Sequence, residues 1–344
     1  MIRYTLLLPI VVTALLLVSP AERAIAQKKT PVPSTEEQAR LIDQGTAMHD
    51  NQDFEGAIEK YRQVLAANPD NVDALYELSY AQLEKGDYAA AIESAEHGII
   101  YKSELLPLFY ITLGTGYDAL NETKKAIDAY VRGIKDAPEH YLLHYNLAVT
   151  YANTKRYQES GESFRRAVVL KPDHPSSHFG IGNIYLITGN RVPAICALSR
   201  FLVLEPLSTR SDAALAALET IINPPLDSVV VEKKKKGKAD GDFPLTQKIL
   251  AVPDSSAGDM DGTVERFRAI FSALAGEQNQ GFAGGYYAPY FAEIVRRKFT
   301  EPFCYYIFQS SGDGDVRKWL KANEGSVKSF LAWSGEYQWK GSTR

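Results

Sequence analysis

The chain has 344 residues, 45% hydrophobic and 23% charged, which allows two domains or one extended array with a substantial core. Its formal net charge is −4; residues 38–208 carry 16 Lys and Arg against 22 Asp and Glu, and residues 245–344 carry 12 against 11. Neither stretch has the basic surplus that binding to a phosphate backbone needs, so no nucleic-acid partner is expected.

The N-terminus reads as an export signal. Arg3 gives a short positive start, Leu6–Val18 is a 13-residue apolar run, Pro20 ends it, and Ala24-Ile25-Ala26 fits a small-x-small cleavage site. Residues 1–26 are therefore expected to be a signal peptide, with an uncleaved anchor as the alternative, and the mature chain to begin at Gln27 in the periplasm or outside the cell. The run is short for a membrane span, and no cysteine follows it to carry a lipid. Residues 27–37 read as a flexible segment.

From Gln38 the sequence repeats. Five units of 34 residues, with one residue extra, start at Gln38, Val72, Pro107, Tyr141 and Pro175. The eighth position of each unit is Gly45, Ser79, Gly114, Ala148 and Gly182. The twentieth is Ala57, Ala91, Ala126, Ser160 and Ala194. Small residues at fixed places let two helices approach closely. Large ones fill the complementary slots, as Tyr61, Tyr130, Phe164 and Leu198 do at the twenty-fourth position. Pro69, Pro138, Pro172 and Pro206 stop the second helix of a unit, since proline cannot continue one.

This register, 171 residues long, resembles the tetratricopeptide repeat (TPR). The resemblance implies an all-α superhelix of five helix-turn-helix repeats, closed by a capping helix over residues 209–222. The second unit departs from the pattern with Gln82, Ala95 and Ser103, and the first with Gln44. In the family, positions 2, 5, 9, 12 and 13 of each first helix line a concave groove. Carried over, these positions include Tyr76, Tyr80, Leu83, Leu108, Ile111, Leu142, Tyr145, Val149, Phe179, Asn183 and Leu186. None is basic, so the family's clamp on a partner's C-terminal carboxylate is not expected. An apolar and aromatic stripe asks to be covered. Its occupant is either an apolar peptide or helix of a partner protein, or the chain's own C-terminal helices.

Residues 223–244 read as a basic linker, with Lys233–Lys236 as a solvated charge run. Residues 245–344 read as a small helical region without the 34-residue register. Val264, Phe267, Ile270, Phe271 and Leu274 recur at helical spacing, as do Tyr287, Tyr290, Phe291, Ile294 and Val295. Trp319-Leu320 and Val327, Phe330 and Leu331 mark two more helices, with Asp313 a cap before the first of them. The stretch from Gly284 to Phe308 is rich in tyrosine and phenylalanine. Glu293, Arg296, Arg297 and Lys298 interrupt it, so it reads as packing surface rather than a membrane span.

Chemical motifs are few. Gly114-Thr-Gly116 imitates a dinucleotide loop but falls inside a helix, where that loop cannot form. His140 and His144, and His174 and His178, are i, i+4 pairs at equivalent places in adjacent repeats. They lack the glutamate of a zinc protease, and His144 and His178 fill the fourth position of the repeat, an aromatic packing slot in the family; facing pairs holding zinc are the alternative. Asp313-Gly-Asp315 is too short for a calcium loop, and Asn121-Glu-Thr123 is a glycosylation sequon. Cys196 and Cys304 read as two buried thiols or one bridge. No catalytic set, metal site or cofactor site is expected. The sequence therefore points to an exported, non-catalytic protein-interaction scaffold. The alternatives are an enzymatic C-terminal region, with Glu293, Glu301, Asp313 and Asp315 as its carboxylates, or a structural component of the cell envelope.

Overall fold

A computed structural model describes residues 28–222, 260–275 and 281–341. The predicted signal peptide and the basic linker lie outside them. The described residues are α-helical, with one isolated β-bridge. Ten helices form five hairpins: α1 Glu36–Asp50 with α2 Phe54–Ala67, α3 Val72–Lys85 with α4 Tyr88–Gly98, α5 Leu106–Ala119 with α6 Thr123–Asp136, α7 Tyr141–Asn153 with α8 Tyr157–Leu170, and α9 Pro175–Ile187 with α10 Arg191–Leu204. Then come α11 Thr209–Ile222 and α12 Met260–Ala275. A π-helical turn, Ala283–Tyr287, runs into α13 Ala288–Arg296, followed by α14 Thr300–Ile307, α15 Gly314–Ala322 and α16 Glu324–Glu336. The chain divides within α5 into two compact units, the first ending at Leu113 and the second starting at Gly114.

The hairpins share one turn. Its fifteenth-position residue is left-handed every time: Gln52 (φ 63°), Gly86 (87°), Asn121 (60°), Lys155 (60°) and Gly189 (78°). The next N–H bonds back across the helix end, from Asp53 to the Met48 carbonyl at 2.9 Å and from Asp87 to Gln82, Glu122 to Tyr117, Arg156 to Tyr151 and Asn190 to Tyr185 at 2.8 Å. These bonds satisfy carbonyls that the ending helix leaves free. Asp53, Asn71 and Asp87 then cap the following helices, accepting from the N–H groups of Gly56, Ala74 and Ala90.

The small positions do what the spacing predicts. A Cβ on Gly45 would meet the Tyr61 ring at 2.5 Å, one on Gly114 the Tyr130 ring at 2.4 Å, and one on Gly182 the Leu198 side chain at 2.6 Å. The large residue of the second helix lies directly on the bare backbone of the first. In the second hairpin, Gln82 is buried but accepts from Ser94 Oγ at 2.7 Å, so the polar departure is satisfied.

In the first unit, residues 28–34 carry no helix but are tied down rather than free. Lys29 N–H donates to the Ile100 carbonyl and Lys102 N–H to the Lys29 carbonyl, both at 2.8 Å. Asn71 Nδ2 holds Ser34 Oγ at 2.7 Å. The loops between repeats supply the partners that an extended segment needs.

In the second unit, the C-terminal helices share one apolar core with the last repeats. Phe271 stacks on Phe291 at 4.5 Å between centroids and meets Phe303 at 5.2 Å, while Phe303 meets Phe330 at 6.0 Å; all four rings are buried. The core continues into α10, whose residues 192–203 are all buried. Cys196 and Cys304 are free thiols within it.

Candidate functional site

All eleven residues expected to line the groove are half-buried. Their neighbours on the same helices, such as Leu78, Leu113, Leu147 and Ile181, are fully buried. One side of each first helix is thus core, and the predicted side keeps apolar area uncovered.

In the first unit, Tyr76 and Tyr80 lie parallel, with 6.1 Å between centroids and 1° between planes. Phe109 stands edge-on to Tyr76 at 5.8 Å, and His49 lies 5.1 Å from Tyr80. Burial pushes the Tyr76 phenol up to about 12, so the ring stays neutral. Leu83, Leu108 and Ile111 flank it on the same helices. In the second unit, Tyr145 sits edge-on between Phe164 at 5.8 Å and His174 at 5.1 Å. Phe179 packs on Phe201 at 4.9 Å, and the Arg210 guanidinium lies over it at 5.7 Å.

His144 and His178 have structural roles. His144 Nε2 and His178 Nε2 donate to the carbonyls of Pro138 and Pro172 at 2.8 and 2.9 Å, the same bond one repeat apart. Each ties a first helix to the proline that ended the previous repeat. His178 is fully buried, and desolvation with the nearby Arg200 charge lowers it to about 3. It is therefore neutral. Its Nε2 carries the proton, because a carbonyl only accepts, and its Nδ1 accepts from Tyr287 Oη at 2.8 Å.

That bond begins a polar seam between the fifth repeat and the C-terminal helices. Tyr286 Oη donates to the Val168 carbonyl at 2.7 Å. Arg200, 3% exposed, donates from Nη1 to Ser334 Oγ at 2.9 Å and lies over the rings of Tyr290 and Trp339 at 5.4 and 5.1 Å. Arg266 Nε donates to the Ile222 carbonyl at 3.0 Å, closing the end of α11. The C-terminal helices, expected as one possible occupant of the groove, make their contacts chiefly with α10 and α11 instead. The aromatic stretch 284–308 therefore serves as packing surface mainly against α10 and the capping helix α11, with Tyr287 also reaching His178 on α9.

Two features escaped the sequence reading. Arg200 was visible as a lone charge in the apolar run Ala194–Leu204, and it marks the covered face. His49 and Asp50 occupy positions 12 and 13 of the first repeat, and Asp73 position 2 of the second. The family rule places these with the groove residues, but a search for apolar character passed over them.

Residues 42–97 and 111–175 match the family model of the tetratricopeptide repeat. The first four hairpins carry this match and are tetratricopeptide repeats; the fifth, beyond residue 175, continues their register and their left-handed turn at Gly189. Among solved structures, MamA is 28% identical over 47% of this chain and 94% of its own, with a TM-score of 0.41. TTC0263, a thermophilic TPR protein of Thermus thermophilus, is 18% identical over 54% and 98%, with a TM-score of 0.44. YrrB, described as a TPR protein with an unusual peptide-binding site, is 19% identical over 52% and 90%, with a TM-score of 0.40. A comparison with curated proteins returns no match. TPR domains mediate protein–protein interaction and are in general non-catalytic scaffolds. Among the described residues no helix is long and apolar enough to cross a membrane.

Proposed function

We propose that the chain is an exported, non-catalytic scaffold that holds an apolar peptide or helix of a partner protein against its first helices. The half-buried aromatic and aliphatic side chains on those helices carry this reading, because each retains apolar area that a partner would remove from water. The covering of α10 and α11 by the C-terminal helices supports it, since most of the chain's own aromatic stretch is taken up there. Export rests on residues 1–26, read from the sequence.

Capture from an envelope extract tests the reading. The wild-type chain is expected to retain a partner that the Tyr76→Ser, Tyr80→Ser, Tyr145→Ser triple variant loses, with unchanged helicity by circular dichroism. An unchanged set of captured proteins on the folded triple variant would overturn it. N-terminal sequencing of the exported protein should start at Gln27.

A further inference from the structure

The repeats of the two units carry different charge. Residues 28–113 hold 7 Lys and Arg against 15 Asp and Glu, a net of −8, whereas residues 114–222, the repeat part of the second unit, hold 12 against 11, a net of +1. In the first unit part of that surplus gathers at the tyrosine pair. Glu77, between Tyr76 and Tyr80 in sequence, is half-buried; desolvation holds its carboxyl above the usual range, and Asp73 and Asp50 add to the rise while His49 opposes it. Glu84 and Glu77 together raise the Tyr80 phenol beyond what its burial does. The nearest lysine in sequence, Lys85, is engaged by Glu55 at 3.1 Å. Asp50, Asp73, Glu77 and Glu84 have no ion pair among the described residues. Nor do three acidic, histidine or cysteine side chains converge there on one point that could hold a metal ion. The negative charge is spread along a face whose apolar part is two parallel phenol rings.

Resting on the scaffold reading above, we propose that this face of the first unit takes a partner-protein segment carrying Lys or Arg between apolar side chains. The cation stacks on the Tyr76–Tyr80 rings and is paired by Asp73 and Glu77. Its neighbours cover Leu83 and Ile111. A cation over an aromatic face is attracted by the ring quadrupole, and more strongly when water is displaced. An arriving cation also relieves the cost of holding a half-buried carboxylate without a partner. Complementary charge of this kind selects the partner and speeds its encounter.

The test uses the mature full chain and three labelled dodecapeptides of alternating Lys-Leu, Ser-Leu and Glu-Leu, read by fluorescence anisotropy at low and high salt. The Lys-Leu peptide should bind about tenfold tighter than Glu-Leu and weaken with salt, a gap of ~1.4 kcal/mol by the affinity scale. The Asp73→Asn, Glu77→Gln double variant should lose about fivefold for Lys-Leu and nothing for Ser-Leu. Glu84→Gln should lose less, and it serves in place of the double variant should that one not fold. Glu139→Gln, in the second unit, should change nothing. Equal binding of Lys-Leu and Glu-Leu overturns the inference, as does an unchanged double variant or an equal loss in Glu139→Gln. Ser-Leu binding without a lysine preference would overturn it while leaving the scaffold reading intact. No binding by any of the three peptides would remove both.

Discussion

The five repeat hairpins and the α13–α14 hairpin turn the chain in the same way and pack differently. Lys298 is left-handed (φ 62°), and Phe299 N–H reaches the Ile294 carbonyl at 2.8 Å, the same closure seen at Gln52–Asp53 or Lys155–Arg156. Counted from that turn, the positions that are small in the repeats are Phe291 and Phe303 in the C-terminal hairpin. Their rings stand 6.2 Å apart and edge-on, and α13 and α14 make only sparse contact. The turn sets the direction of the chain. The residues at two positions set whether the helices close on each other or part to admit a third element, here α12 with Phe267 and Phe271.

The largest test of this contrast is Phe291→Ala. As a ring buried among three others it should cost ~3–5 kcal/mol in urea unfolding of the full chain. A neutral or stabilising result would mean that α13 and α14 can close like a repeat, and would break the comparison. The reverse change, Gly114→Val, places methyl groups where the Tyr130 ring already lies 2.4 Å from an added Cβ, and should cost ~1–3 kcal/mol.

The two equivalent histidines sharpen the contrast through pH. Burial lowers His178 to about 3, below its unfolded value near 6.5, so the unfolded chain takes up the proton first. Stability attributable to His178 is complete above the unfolded value and falls as pH drops from 6.5 towards 3, with a slope approaching ~1.4 kcal/mol per pH unit. His178→Gln should flatten that part of a stability–pH curve. His144, half-buried, should contribute a smaller slope of the same sign.

The smallest effects belong to the shared turn. Lys155→Gly and Lys298→Gly each relieve a left-handed side chain and should stabilise by ~0.5–1 kcal/mol, read as a shift in urea midpoint. A gain at only one of the two would show that the turns are not equivalent.

The repeat architecture was legible because a solenoid writes its packing rule at a fixed period. Gly45, Gly114 and Gly182 announce close approach, and Tyr61, Tyr130 and Leu198 announce what approaches. The second-helix starts at Phe54, Tyr88, Thr123, Tyr157 and Arg191 all fall on position 17. The same count assigns the tyrosines and aliphatics to the face that the proposal uses. The acidic half of that face was missed because Asp50 and Asp73 carry no apolar signal, and Glu77 lies one position off the family's groove set. The partner of the C-terminal aromatics was not legible either, since an apolar face specifies that it must be covered and not by what.

By itself, the sequence determined the repeat, its register and the capping helix over 209–222, because each depends on side chains within about 34 residues of one another. Tertiary structure alone decided that α10 is buried on every side, that Arg200 lies under Tyr290 and Trp339, and that His178 meets Tyr287 109 positions away. Those contacts join stretches that share no period. Only the folded chain selects them, by bringing apolar area and unpaired polar groups to the same place.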